Sequence, residues 1–269
     1  MKFPFFKNRN RKKLTVRVMG ATDVGLKREK NEDSYFAKTL SDNIAASWAL
    51  MIVADGMGGH VSGEIASKMA IDHVSEPFLE QLTKSPPLPK NVGDLLTEMV
   101  RNANSEIFSQ GTSNSDGIQR TMGTTCTAGM VMGEMFHVSH VGDSRAYLFR
   151  NEQLTQLTVD DSWVMEQVTA GNLTVSQARK HPNRNIVTQA LGIDGYIDVE
   201  EISISLQHGD RIMLCSDGLH GLIADEELGD VLTEPCLKST VNNLIGRAKE
   251  YGGDDNITVV LGEVYARTN

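Results

Sequence analysis

Acidic residues end several apolar runs in this sequence, at positions where a strand would give way to a turn. Asp55 follows the run Trp48–Ala54 and is itself followed by Gly56. Asp217 follows the run Arg211–Ser216 in the same way. Glycine lets the backbone turn sharply and lets its carbonyl groups approach a cation. Carboxylate and carbonyl oxygens are the ligands that Mg²⁺ and Mn²⁺ prefer, so the pattern predicts an oxygen-lined site for hard divalent cations.

Two other turns combine acids with small residues. Asp143 follows the apolar run Phe136–Val141 after one glycine. Asp255 stands between a pair of glycines and the β-branched run that begins at Ile257. Acids at the ends of several strand-like runs strengthen the prediction of a cation site.

Length and composition limit the class of protein. The chain has 269 residues, of which 40% are hydrophobic and 23% charged, as is ordinary for a soluble globular protein of one large domain or two small ones. No apolar run approaches the roughly 18 residues that a membrane-spanning helix needs. The three cysteines are scattered without a CxxC spacing, which favours neither a zinc site nor a disulfide framework and fits a reduced, cytoplasmic protein.

The net charge of −9 is unevenly distributed. Residues 1–13 carry six basic residues and no acid, so the rest of the chain is more acidic than the total. An acidic body argues against general nucleic-acid binding and suits a protein whose acids are partly neutralised by metal. We predict that residues 1–14 form a basic arm, either a solvated, flexible terminus or a contact for anionic lipid or a partner.

Hydrophobic periodicity predicts a single domain over residues 15–269. Helical spacing predicts one helix from residue 62 to about 83, with a kink or break at Pro77, and a second over about 94–109. Residues 158–192 interrupt the strand pattern with polar helical segments. Many strands with a pair of adjacent helices and a late helix fit two sheets packed together and flanked by helices.

Six short motifs occur in order along the chain. They are Arg28 with Asn31-Glu32-Asp33, Asp55-Gly56-Met57-Gly58-Gly59-His60, Gly123-Thr124-Thr125, Val141-Gly142-Asp143-Ser144-Arg145, Ser216-Asp217-Gly218-Leu219 and Asp255-Asn256. Together they closely resemble the type 2C family of metal-dependent protein serine/threonine phosphatases, in its compact bacterial form. The resemblance covers roughly residues 15–265. A lone Asp-Gly pair carries no signal, but six blocks in the right order are highly specific.

The resemblance implies an α+β fold with a metal site. The fold is an αββα four-layer sandwich, in which two central, mostly antiparallel β-sheets are flanked by helices, with a flap subdomain at about residues 158–192. Two Mn²⁺ or Mg²⁺ ions are expected at one end of the sandwich, with a third, weaker ion beside them. The implied ligands are Asp55 bridging both ions, the carbonyl of Gly56, Asp217 and Asp255, with Glu32 and Asp33 near the second ion and Asp143 sharing the third with Asp217.

The implied reaction is hydrolysis of phosphoserine and phosphothreonine in proteins. Two divalent ions about 3.5–4 Å apart lower the pKa of a shared water, and the resulting hydroxide would attack phosphorus in line without a phosphoenzyme. Arg28 stands where the family grips phosphate, as a guanidinium can do with two oxygens at once. A surface arginine in a charged loop is the alternative. His60, five residues after Asp55, follows the bacterial pattern and is a candidate general acid.

The predicted flap departs from the family in one place. The family often has Asp-His-Ser where this chain has Asp160-Asp161-Ser162, and the extra acid would alter either flap charge or metal affinity. Three basic residues of the flap are candidates for steering phosphopeptides, with a solvated charged face as the alternative. They are Arg179, Lys180 and Arg184.

The resemblance also implies partners and leaves two other classes open. It implies a protein that acts on phosphorylated proteins, including a Ser/Thr protein kinase and its targets. With the composition, it predicts a cytoplasmic monomer that has no transmembrane segment and binds no nucleic acid. One alternative is a non-catalytic module that binds phosphoproteins, although no ligand acid is missing here. The other is a metal-dependent hydrolase of small phosphate esters or nucleotides, which the same site chemistry would allow.

Overall fold

The structure is a computed structural model of the chain. It describes residues 13–41, 47–58, 62–83, 91–112 and 122–266. Most of the predicted basic arm and the candidate acid His60 lie outside the described residues. Among the described helices, none is long and apolar enough to cross a membrane.

The strands of the described residues form two antiparallel sheets. They are β1 (Leu14–Asp23), β2 (Asp33–Ser41), β3 (Ser47–Met57), β4 (Gly123–Thr124), β5 (Cys126–Met132), β6 (Met135–Val141), β7 (Arg145–Arg150), β8 (Gln153–Gln156), β9 (Glu200–Ser205), β10 (Arg211–Cys215) and β11 (Ile257–Ala266). One sheet has the strand order β1-β11-β10-β7-β8. The other has the order β2-β3-β5-β6-β9, with β4 paired to β3. Every pairing in both sheets is antiparallel.

Helices cover the outer faces of the sheets and form part of the predicted flap. They are α1 (Ser62–Thr83), α2 (Val92–Thr112), α3 (Trp163–Thr169), α4 (Val175–Ala178), α5 (Asp217–His220), α6 (Asp225–Val231) and α7 (Leu237–Glu250). The long helices α1 and α2 pack against each other beside β3, whereas α7 packs against β11 and β1.

Alternating side chains of β3 show why the layers stack in this way. Met51 and Val53 belong to a core between the two sheets, together with Leu214 of β10. Leu50 and Ile52 point to the opposite face and join a second core with α1 and α2. A strand buried on both faces must be apolar at nearly every position, because successive side chains point to opposite sides.

The second sheet repeats this arrangement. Met213 and Cys215 of β10 lie in a third core with Leu228 of α6 and Leu244 of α7. The order of layers is therefore helix, sheet, sheet, helix, which confirms the predicted αββα sandwich.

Of the predicted kink or break at Pro77, the break is not found, because α1 continues through this residue as a helix of 22 residues. A proline inside a helix removes one backbone hydrogen bond and costs about 3 kcal/mol. Val74 and Phe78 on either side of it are fully buried, whereas Pro77 itself is exposed. Packing of the buried face outweighs the local cost of the proline.

Residues 158–192 leave the sandwich after β8 and carry α3 and α4. Near the start of this segment, the side chain of Ser162 caps the N-terminus of α3. The segment closes on itself through a bridge between Ser162 and Val187. It rejoins the body where Leu191 pairs with Thr124 of β4. The predicted flap is thus a loop whose two ends lie side by side.

Candidate metal centre

Acidic side chains from both sheets converge where the strands end. Asp33 opens β2 and is the register partner of Asp55 in β3. Asp217 opens α5 after β10, and Asp255 lies in the turn before β11. Asp55, Asp217 and Asp255 line a cleft of about 560 Å³. Seven predicted site residues line this cleft: Arg28, Glu32, Asp55, Gly56, Asp143, Asp217 and Asp255.

Asp33 lies behind this cleft and is buried. Its Oδ2 accepts hydrogen bonds from Ser216 Oγ at 2.8 Å and from Thr258 Oγ1 at 2.6 Å. Within the described residues, Oδ1 of Asp33 and Oδ1 of Asp217 are both buried without a hydrogen-bond partner. A buried charged oxygen without a partner is costly. Two such oxygens in one cluster of carboxylates fit the needs of Mg²⁺ or Mn²⁺, which bind through oxygen ligands.

Burial and mutual repulsion perturb the central carboxyl groups. Burial raises the pKa of Asp33 to about 7 and the pKa of Asp217 to about 6, and neighbouring carboxylates add to both shifts. The pKa values of Asp55 and Asp143 are raised well above the usual range, by burial first and then by nearby acids. A bound cation would have the opposite effect, because it stabilises the ionised form of each carboxylate beside it.

The side chains alone do not form a closed metal cage. Across the described ranges, no group of three or more His, Cys, Asp and Glu side chains is arranged to hold an ion by itself. Mg²⁺ commonly takes one or two carboxylates and completes its shell with waters and other oxygens. The partnerless oxygens of Asp33 and Asp217 are therefore the more informative feature of the site.

Gly56 lets α1 pack directly on the acidic end of β3. A Cβ at this position would lie 2.2 Å from the carbonyl oxygen of Gly63 and 2.5 Å from that of Glu32. The N–H of Gly56 also donates to the Glu32 carbonyl at 3.2 Å. No side chain fits here, so the backbone of Gly56 itself forms part of the cleft wall.

Arg28 lines the cleft and contacts one of its acids. Its Nη2 donates to Asp255 Oδ2 at 2.6 Å, and 53% of the Arg28 side chain is exposed. The hydrogen bond to Asp255 raises the pKa of Arg28. The guanidinium of Arg28 therefore contacts Asp255, a predicted metal ligand. Asp255 thus binds a positively charged group in this structure.

The sequence indicated no role for Asn256 alone. In the structure, its side chain forms hydrogen bonds with three backbone groups of the segment 24–32. Its Oδ1 accepts from the N–H of Glu32 at 2.8 Å. Its Nδ2 donates to the carbonyls of Val24 at 3.0 Å and of Lys30 at 2.9 Å. Asn256 thus holds the segment that carries Arg28 and Glu32. The available signal was its place directly after Asp255.

His220 was also missed, and it supports Asp143. Its Nε2 donates to the Asp143 carbonyl at 2.9 Å. Burial lowers the pKa of His220 to about 3, so the imidazole is neutral. Asp143 follows Gly142, whose φ of 107° favours glycine. The signal for His220 was its position three residues after Asp217, within one helical turn.

The predicted flap forms one wall of the cleft through Asn185, Ile186 and Val187. A second cavity, of about 180 Å³, lies between the flap and the body and is lined by Arg184. Arg179 is paired with Asp225 of the body at 2.7 Å.

Two histidines and two cysteines of the described residues lie away from the cleft. His140 is buried against Thr127 at 2.9 Å, and His137 contacts Ser203 at 2.8 Å. Cys126 and Cys215 are free and buried. None of the four lines the cleft.

Comparison with known proteins identifies the family of the chain. Residues 27–261 match the family described as protein phosphatase 2C. The serine/threonine phosphatase stp of Listeria monocytogenes serotype 4b is 36% identical over 243 residues, which are 90% of this chain and 93% of that protein. Protein phosphatase PhpP of Streptococcus pneumoniae is 35% identical over 241 residues, which are 89% of this chain and 94% of that protein.

Solved structures show the same architecture. The Mycobacterium tuberculosis serine/threonine phosphatase PstP/Ppp has a TM-score of 0.81 at 35% identity, covering 92% of this chain and 98% of that one. The catalytic domain of PstP in complex with two manganese ions has a TM-score of 0.80 at 34% identity, covering 94% and 99%. The chain belongs to the protein phosphatase 2C family. The predicted class, a metal-dependent protein serine/threonine phosphatase, is confirmed.

Proposed function

We propose that this phosphatase hydrolyses phosphoserine and phosphothreonine in proteins with two Mn²⁺ or Mg²⁺ ions in the acidic cleft. The observation that carries the proposal is the pair of buried carboxylate oxygens, on Asp33 and Asp217, without a hydrogen-bond partner among the described residues. The similar PstP catalytic domain that binds two manganese ions supports the number of ions.

The chain offers enough oxygen donors for these ions. The charges of Asp33 and Asp217 both act on Asp55, and the resemblance assigns Asp55 to both ions. We assign the remaining donors to the carbonyl of Gly56, Asp217 and Asp255, with Glu32 and Asp33 near the second ion and Asp143 at a third, weaker ion. When bound, such ions lower the pKa of water and neutralise charge on the phosphoryl group.

Arg28 would bind the phosphoryl oxygens of the substrate. Its guanidinium already reaches Asp255 from the cleft wall. A cation beside Asp255 would neutralise that carboxylate and weaken its attraction for Arg28. The guanidinium could then turn to a phosphate, which accepts two parallel hydrogen bonds from it.

His60 is the candidate for protonating the leaving alkoxide. The assignment rests on its place in the sequence, five residues after Asp55. His60→Gln should then slow phosphopeptides, whose leaving alkoxide needs a proton, more than p-nitrophenyl phosphate, whose leaving group does not. Equal slowing of both substrates would remove His60 from this role.

We further propose a cytoplasmic monomer in which residues 15–269 form one domain, residues 158–192 its flap and residues 1–14 a basic arm. Its substrates would be phosphoproteins, among them a Ser/Thr protein kinase and the targets of that kinase. Free buried thiols at Cys126 and Cys215 support a reducing compartment. Light scattering after size exclusion tests the monomer, and dephosphorylation of an autophosphorylated kinase tests the partner.

The decisive experiment is phosphate release from a phosphothreonine peptide with Mn²⁺, with Mg²⁺ and with excess EDTA. We expect metal-dependent release that is insensitive to thiol-blocking reagents, and its loss in Asp217→Ala. An exposed acid outside the cleft, Asp194→Ala, is the matched control.

Two outcomes would point to the alternative classes. Release from small esters but not from phosphopeptides or phosphoproteins would favour a small-ester hydrolase. Phosphoprotein binding by folded wild-type protein without release under any metal would favour a non-catalytic module. Wild-type activity in Asp217→Ala would contradict the assignment of the metal ligands.

A further inference from the structure

Asp161 joins the predicted flap to the turn that carries Asp143. The N–H of Asp161 donates to the Gly142 carbonyl at 2.7 Å. In return, the N–H of Gly142 donates to Asp161 Oδ2 at 2.9 Å. Gly142 directly precedes Asp143, so both hydrogen bonds act on the backbone that presents this candidate ligand.

The same carboxylate also holds the other end of the flap. Gln189 Nε2 donates to Asp161 Oδ2 at 3.1 Å. The N–H of Thr188 donates to the Asp161 carbonyl at 2.8 Å. Gln189 is itself fixed, because its amide forms two hydrogen bonds of 2.7 Å with the backbone of Asp198. Asp161 therefore contacts the entry of the flap, its exit and the Asp143 turn.

The Asp143 turn has little freedom apart from this contact. A Cβ at Gly142 would lie 2.6 Å from Thr125 Cγ2, so the residue between β4 and β5 lies close behind it. His220 also donates a hydrogen bond to the carbonyl of Asp143. The N–H that donates to Asp161 belongs to a buried residue, and a buried N–H that loses its acceptor is costly.

We propose that Asp161 is a positioning residue that sets Asp143 for its metal ion and couples occupancy of that ion to the flap. The inference rests on the proposed function, in which Asp143 binds the third, weaker ion. Groups that orient a metal ligand from behind typically change metal affinity by 10–100-fold when they are removed. Metal at Asp143 and an ordered flap should therefore stabilise each other.

Two variants separate the bonding role of the carboxylate from its charge. Asp161→Ala removes the acceptor for Gly142 and Gln189. Asp161→Asn keeps it, because both donors reach the same oxygen, Oδ2, and an amide oxygen can take that place. Asp194→Ala removes an exposed acid just past the flap and is the matched control.

The first readout is calorimetric titration of the metal-free full chain with Mn²⁺ alone. We expect Asp161→Ala to weaken the weaker binding phase about tenfold or more and to leave the tighter phase within about threefold. Asp161→Asn should restore the weaker phase to within about threefold of wild type. A purely structural lesion would weaken both phases together.

The second readout is hydrogen exchange, with and without Mn²⁺. In Asp161→Ala, amides of residues 142–144 and of the flap should exchange faster together, and Mn²⁺ should protect the flap less than in wild type. An unchanged weaker phase in Asp161→Ala, or a flap that Mn²⁺ protects equally in both proteins, would overturn the inference. If the wild-type protein binds Mn²⁺ in two phases but has no phosphatase activity, the proposed function is refuted and the inference about Asp161 is not.

Discussion

Replacing Asp33 with asparagine should stabilise the metal-free protein at alkaline pH. The pKa of Asp33 is about 7 in the folded chain, against an ordinary value of 3.8. Between these values the folded state holds a proton that the unfolded state has lost, so stability falls as the pH rises through this window. This pKa difference corresponds to a loss of at most about 4 kcal/mol in the free energy of unfolding. The whole loss is present above pH 7.

Asparagine removes this cost while keeping the shape of the side chain. Its Oδ1 can take the place of Oδ2 and accept from Ser216 and Thr258, and its Nδ2 then occupies the position of the partnerless Oδ1. We expect Asp33→Asn to recover about half of this loss, or about 2 kcal/mol in the free energy of unfolding. For a chain of this size that raises Tm by about 4–8 °C at pH 8.

Thermal unfolding followed by circular dichroism in EDTA measures the effect. The Tm advantage of Asp33→Asn over wild type should grow from pH 5.5 to pH 8, whereas Asp194→Asn should show no such trend. Saturating Mn²⁺ should reverse the order, because wild type gains more from the bound ion. A metal-free variant that is no more stable than wild type at pH 8 would refute the electrostatic reasoning.

Three further predictions concern groups around the acidic cluster. Arg28→Ala should raise KM for a phosphopeptide about tenfold with a smaller change in kcat; steady-state kinetics that match the distant control Arg17→Ala would contradict phosphate binding. Asn256→Ala should lower the free energy of unfolding by about 2–4 kcal/mol, since three hydrogen bonds are lost; an unchanged urea midpoint would contradict this. Asp225→Ala should release Arg179 and alter kcat/KM for phosphoproteins more than for p-nitrophenyl phosphate, and equal changes would exclude a role for this pair in substrate recognition.

Local sequence patterns predicted the site where an acidic residue follows an apolar run and precedes a glycine. Asp55 and Asp217 each end an apolar run and precede a glycine, and the structure places both on the cleft wall. The layer order followed from the resemblance and from apolar runs such as β3. A strand buried on both faces needs such a run, which makes it visible in one sequence.

Local sequence patterns did not predict one strand and both ends of one helix. The strand β8 was not predicted, because its residues are polar and the turn before it uses Asn151 and Glu152 at positive φ instead of glycine. The second helix begins at Val92 and ends at Thr112, beyond both predicted ends.

The support of the site was also invisible in the sequence. Asn256 and His220 act through hydrogen bonds to backbone groups far away in the chain, at Val24 and at Asp143. No local pattern specifies such partners. For Asp161, the sequence left open whether the extra acid changes flap charge or metal affinity, and its hydrogen bonds to Gly142 favour the second.

The position of the acids explains why a metal would matter for the fold as well as for chemistry. Asp33 and Asp55 belong to one sheet, whereas Asp217 and Asp255 adjoin strands of the other. Their repulsion acts across the interface that the central apolar core holds together. A cation shared between these acids would turn that repulsion into attraction between the sheets. Metal binding and packing of the sandwich should therefore stabilise each other.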